Sequence, residues 1–458
     1  MSLSGAFVMH NSALKTVNLW STARSIFTAA SRRRQKRVRG IESAAAVLES
    51  LENRALLASA GMTFSAAVDA GADAEMSREE VCEFAPEPGF EVDGNVVRVS
   101  GTHGDDVITA FTTANGLLTV VVNDVTFAVS DSQVDRLEID AKCGNDFVGV
   151  RESVQHLTVV SLGNGDDTAY VLGGPTRVSG DAGNDLIVTG DYDDKIGGGA
   201  GHDILLGGIG NDVILGGAGN DGIAGGDGND TVRGNEGADI LLGDGPNSWP
   251  VPVPASEVSV ISYLTRLGNQ GFGHDSVDGG SDDDQIYSGQ GNDLVFAGSG
   301  NDFVNSASGN DVVIGGDGDD AIASGDGNDW VFGDGTNALP DVLPTAEELI
   351  AYVLRFADVN SGNDVIAAGN GHDIVFSGRG ADRVYGGQGN DIILAGAGND
   401  WVEAGAGRDI IHGGADGDVL FGGAGTDVVF GAAGDDYLIG GSEDDQLHGG
   451  AGNDWIFG

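Results

Sequence analysis

The chain has 458 residues, of which 79 are Gly, about 17% against an average near 7%. Lys and Arg total 22 and Asp and Glu total 71, a formal net charge of −49. With 9 Pro it is not collagen, and with 40% hydrophobic residues it is not a solvated acidic tail. The charge argues against nucleic-acid or anionic-lipid partners and suits cations. No apolar run reaches 18 residues, so no transmembrane segment is predicted.

Residues 1–61 form a separate, basic object. Residues 1–60 hold nine Lys/Arg and three Glu, net +6, which leaves −55 for the rest. A basic run from Arg32 to Arg39 precedes an Ala/Leu-rich segment ending Ala58-Ser59-Ala60, the ingredients of an export signal. The tract LESLENRALLASAG also resembles one near the N-terminus of large exported bacterial surface proteins. Residues 62–93 read as a linker. Residues 94–178 read as irregular β structure, rich in Val, Thr and Phe, with a hairpin turn at Asn115-Gly116. Cys82 and Cys143 are the only cysteines; one bridge and two free thiols are equally compatible with the sequence.

From residue 180 the chain repeats every nine residues, beginning GDAGNDLIV. Three runs (180–242, 270–332 and 359–458) carry 25 units. Position 6 is always Asp: Asp185, Asp194, Asp203, Asp212, Asp221, Asp230 and Asp239 in the first run. The second carries Asp275, Asp284, Asp293, Asp302, Asp311, Asp320 and Asp329. The third carries Asp364, Asp373, Asp382, Asp391, Asp400, Asp409, Asp418, Asp427, Asp436, Asp445 and Asp454. Position 8 is always Ile, Leu or Val. Position 4 is Gly in 21 units; the exceptions are Tyr192, Asp282, Asp416 and Glu443, whose turns are expected to be reshaped. Degenerate copies stand upstream at GTHGDDVIT (101–109), AKCGNDFVG (141–149) and LGNGDDTAY (162–170).

The consensus G-G-x-G-x-D-x-U-x resembles the RTX, or hemolysin-type calcium-binding, repeat. The resemblance implies an all-β parallel β-roll in which calcium sits between coils, held by the position-6 carboxylates and turn carbonyls. The 25 Asp are therefore the expected Ca2+ ligands. Simple physics agrees. A short strand buries its position-8 aliphatic, and glycines at positions 1, 2 and 4 admit positive φ. Stacked coils set carboxylates about 5 Å apart, a repulsion that an oxygen-seeking divalent ion relieves. His202, His274 and His372, alone at position 5, read as variants of the usual Asn rather than zinc ligands.

Two inserts, 243–269 and 333–358, interrupt the runs. LLGDGPNSWPVPVP (241–254) and VFGDGTNALPDVLP (331–344) align at an offset of 90, and each leads to a stretch with helical patterning, 256–267 and 345–356. Thr345 and Glu348 make a capping box. Each helix is expected to shield the roll. Positions 7 and 9 should face outward, gathering Trp401, Tyr437, Trp455, Tyr385 and Phe421 on one face, and Ile374, Ile392, Ile410, Phe376 and Phe430 on the other. Such a face would suit a glycan, a cell-surface component or self-association. H-E-x-x-H, a P-loop and G-x-S-x-G are absent, so no catalytic site is expected. The leading reading is a secreted or cell-surface calcium-binding structural or adhesive protein that folds on calcium. The alternative is a polysaccharide-active enzyme or accessory subunit.

Overall fold

The computed structural model describes residues 88–244, 273–335 and 361–458. Over these residues the chain is an all-β parallel solenoid of about 15 turns. At about 4.8 Å per coil the stack is roughly 70 Å long. Each coil contributes one strand to each of two sheets. Strands pair in register with those 18 residues away: Ile196 with Ile214 in the first sheet, Leu205 with Ile223 in the second.

Both inserts interrupt the sequence but not the stack. Val232 pairs with Val277 across the first, and Ile322 with Ile366 across the second. Each insert replaces a single position, position 3 of one turn. Gly243 and Asp244 precede the first and Gly273 follows it at position 4; Gly333, Asp334 and Gly362 do the same at the second. Seven repeats lie between the inserts, and seven is odd. The first insert therefore leaves where the second sheet hands over to the first, and the second leaves at the opposite edge. The predicted helices themselves lie outside the described residues.

The core is a double column of position-8 aliphatics, among them Ile187, Leu205, Ile214 and Leu241, all fully buried. Most strands run to about six residues, as in Lys195–Ala200, rather than three. Extended backbone alternates its faces, so position 1 also points inward. Ala297, Ala368, Ala395 and Ala404 fill that position in the core, and Ser306, Ser324 and Ser377 there donate hydroxyl hydrogen bonds to the next coil's carbonyl. Sequence reasoning credited the core with one side chain per repeat; the structure adds this second, small one.

At its N-terminal end the solenoid is irregular. Gly89–Asp93 lies antiparallel on Val96–Ser100, and Val107–Thr112, Leu117–Val122 and Val125–Ser130 form an antiparallel meander. Gly116, at φ 72°, makes the first of its turns. Both Val96–Ser100 and Val107–Thr112 then pair parallel with the following coils, so the meander grows directly into the roll.

The outward positions divide unexpectedly. Trp401, Tyr437 and Trp455 are exposed, and Trp401 packs on Phe421 with ring centroids 4.9 Å apart. On the opposite face Ile374 and Phe376 are buried, contrary to expectation, and Phe376 stacks on Phe332. Phe296, Ile314 and Trp330 are buried in that same outward patch. Val188, Leu206 and Leu242 form a second buried outward patch, on the other sheet.

Candidate metal centre

Each turn brings a carboxylate to one place by a fixed set of backbone contacts. In the coil ending at Asp203, Gly199 and Gly201 hold φ of 111° and 147°. Position-1 Gly198 does not have positive φ and is small for a different reason. A Cβ there would lie 2.3 Å from Asp203 Oδ2 and 2.7 Å from the Gly216 carbonyl oxygen of the next coil. A carboxylate oxygen and a carbonyl oxygen thus converge where only glycine leaves room.

The position-6 carboxylates form two unbroken rows. Each Asp N–H donates to Oδ1 of the Asp one coil on, as Asp185 does to Asp203 at 2.8 Å. One row runs through Asp185, Asp203, Asp221, Asp239, Asp284, Asp302, Asp320, Asp364, Asp382, Asp400, Asp418, Asp436 and Asp454. The other runs through Asp194, Asp212, Asp230, Asp275, Asp293, Asp311, Asp329, Asp373, Asp391, Asp409, Asp427 and Asp445. The three runs of sequence are therefore two rows in space. The first row extends upstream through Asp106, Asp146 and Asp167, which sequence reasoning did not nominate. Their signal was present, at position 6 of the three degenerate copies.

The second carboxylate oxygen is the informative one. Oδ2 is buried without a hydrogen-bond partner in every position-6 Asp of the repeats except Asp454. Burial, the largest cause, pushes up the position-6 carboxyls from Asp185 through Asp436: to about 8 at Asp185, and to about 9 at Asp284 and Asp364, where neighbouring carboxylates add to it. The backbone N–H on Oδ1 lowers them and only partly offsets the burial.

A second ladder runs in the opposite sense one position earlier. His202 N–H donates back to Asn184 Oδ1, and Asn220 N–H donates back to His202 Nδ1. His274 Nδ1 and His372 Nδ1 likewise accept from Asn292 and Asn390. These histidines take the place of an Asn oxygen, as expected. Among the described residues no three His, Cys, Asp or Glu side chains gather as a metal cluster. An ion in the rows would have to draw on backbone carbonyls as well as carboxylates. That all-oxygen donor set fits calcium, which accepts both kinds.

The four atypical position-4 residues keep the turn. Tyr192, Asp282, Asp416 and Glu443 all hold positive φ, between 77° and 97°, and the Asp two residues on from each stays in its row. Cys143 is disulfide-bonded, which selects the bridged alternative for it; Cys82 lies outside the described residues.

Seven stretches match the RTX calcium-binding nonapeptide repeat: 179–214, 215–245, 270–304, 306–337, 358–393, 394–429 and 430–458. Together they cover more than half of the chain. The chain belongs to the RTX calcium-binding nonapeptide repeat family. RTX repeats of this kind are typically structural rather than catalytic, and they associate the rows with calcium. No match to a curated protein is found. No described helix of this RTX protein is long and apolar enough to cross a membrane.

Proposed function

We propose that the two Asp rows hold calcium between successive coils, and that the roll folds as they fill. The observation that carries this is the orphaned, buried Oδ2 repeated along both rows. Burying an ionised carboxylate without a partner costs several kcal/mol per group. Calcium, when bound, supplies positive charge and six to eight coordination positions. The carboxylates and carbonyls of this chain supply ligands from adjacent coils, so binding and stacking become one event. The 25 position-6 Asp, with Asp146 and Asp167, are the side chains we assign to this role.

We infer further that the protein works outside the cell, where millimolar calcium is present, as a structural or adhesive rod. The basic segment 1–61, which lies outside the described residues, supports export by its composition. The exposed Trp401, Tyr437 and Trp455 supply an adhesive face for a glycan or a protein partner. Calcium titration followed by circular dichroism should show β structure appearing cooperatively. Full β structure in excess chelator overturns the coupling. Replacing Trp401 and Tyr437 by Ser should weaken binding in a glycan and surface-protein panel at least tenfold; unchanged binding removes the adhesive face.

A further inference from the structure

Two buried carboxylates stand outside the 25. Asp244 and Asp334 occupy position 2, the place usually given to a glycine with positive φ, and neither residue has positive φ. They are related by the offset of 90 that relates the inserts, and each is the last position before an insert replaces position 3. Both are essentially inaccessible to solvent, at 0% and 1%.

One oxygen of each has a clear task. In an uninterrupted turn the position-2 carbonyl accepts the position-3 N–H of the next coil, as Gly190 O does from Ile209. Here the side chain takes that N–H instead. Asp244 Oδ2 accepts from Gln290 N at 2.6 Å, and Asp334 Oδ2 accepts from Arg379 N. The other oxygen has no partner: Oδ1 of both residues is buried and unbonded. Nearby oxygens also face a confined space. A Cβ on Gly243 would stand 2.5 Å from both Asp275 Oδ2 and the Ser288 carbonyl oxygen. At the second insert, Gly333 stands in the same relation to Asp364 Oδ2 and the Ser377 carbonyl oxygen. Asp275 Oδ2 and Asp364 Oδ2 are orphaned too. The charge of Asp244 is felt at Asp230 and Asp275, and that of Asp334 at Asp320 and Asp364.

We propose that Asp244 Oδ1 and Asp334 Oδ1 each complete a divalent-cation site at the root of an insert, together with Asp275 and the Ser288 carbonyl, or Asp364 and the Ser377 carbonyl. The ion class is an oxygen-preferring divalent cation, calcium by the chemistry of the donors. Each insert begins just after one of these residues. The anionic side chain at that root supplies an oxygen, so the rows continue past both openings and the insert roots are pinned by metal. This rests on the calcium reading of the rows.

The test is a calcium count on the full chain by isothermal titration with equilibrium dialysis. Asp244→Asn keeps an oxygen for the Gln290 N–H and removes the anionic ligand. It should lower the count by one or weaken one calcium at least tenfold; Asp334→Asn should do the same, and the pair should lose two. Asp181→Asn is the control. That Asp is also at position 2, in an uninterrupted turn, and its oxygens already accept hydroxyls from Ser161 and Ser179. It should leave the count unchanged. Should Asp244→Asn fail to fold, Asp244→Gly restores the usual position-2 residue and should again lose one calcium. Wild-type count and affinity in the folded Asp244 and Asp334 variants overturn the inference. A wild-type chain that binds no calcium overturns instead the reading on which it rests.

Discussion

The irregular coils before residue 178 and the regular roll after it meet the same demand with different means. In the first, Asp106 is satisfied by the protein: its Oδ2 accepts from Thr102 N at 2.5 Å, and its Oδ1 from Asn123 Nδ2 at 2.5 Å. Arg98, Arg136 and Lys142 pair with Glu138 and Asp140 on its surface. Its core is broad, drawing on Val97, Val99, Leu118, Val120, Leu137 and Ile139. In the regular roll each repeat adds one aliphatic and a small position-1 residue to the core, and one carboxylate oxygen is left unmatched. The first region meets most of its needs with its own side chains, and only at Asp146 and Asp167, where it grows into the roll, is an Oδ2 left orphaned. The second has delegated part of its cohesion to cations, and gains a uniform, extendable coil in return.

The largest expected effect separates the two regions directly. On calcium removal, amide hydrogen exchange should lose protection in the repeats from residue 180 onward and keep it across 96–140, where the aliphatic core is broad and Asp106 is satisfied by the protein. Equal loss in both regions would erase the distinction.

A smaller effect comes from pH in calcium-free protein. The folded carboxyls are raised, to about 8 at Asp185 and about 7 at Asp194, by burial above all, while the unfolded chain titrates near 4. The folded form then holds more protons, so metal-free stability is fullest below about pH 4 and declines as pH rises to about 8. Acidification should therefore restore β structure to the calcium-free roll, read by circular dichroism. In calcium the dependence should reverse, because protons compete for the ligands. A calcium-free roll equally unfolded at pH 4 and pH 8 would show that the orphaned oxygens do not govern its stability.

The smallest effect compares two positive-φ turn residues, one from each region. Asp282 holds φ 78° at position 4 and adds a like charge near Asp239 and Asp284. Asp282→Gly should stabilise the calcium-loaded protein by about 1 kcal/mol. Lys142 holds φ 86° in the irregular region but also pairs with Asp140. Lys142→Gly should come out nearer neutral, within about 0.5 kcal/mol, because relief of strain is offset by the lost ion pair. Thermal unfolding in saturating calcium measures both.

What was legible in the sequence followed from periodicity. A nine-residue clock with Asp at 6 and an aliphatic at 8 predicts a coil, a core column and a row of carboxylates, because strand geometry repeats wherever the pattern does. The hairpin at Asn115-Gly116 was legible from turn chemistry. Less visible were Asp106, Asp146 and Asp167, since their spacings of 40 and 21 residues break the clock even though the backbone ladder joins them to Asp185. The buried outward patches around Phe296 and Leu242 were invisible, because alternation along a strand gives direction and not cover.

The sequence by itself determined the repeat, the inward aliphatic column and the identity of the carboxylates, all of them local consequences of residue type at fixed spacing. Only the tertiary structure decided that three runs become two continuous rows, that the inserts leave from opposite edges, and that Asp244 and Asp334 lie beside the rows with an oxygen to spare. Each depends on which backbone groups meet between coils that are 18 residues apart in one place and 44 or 45 in another. That meeting is settled by stacking, which the linear order does not contain.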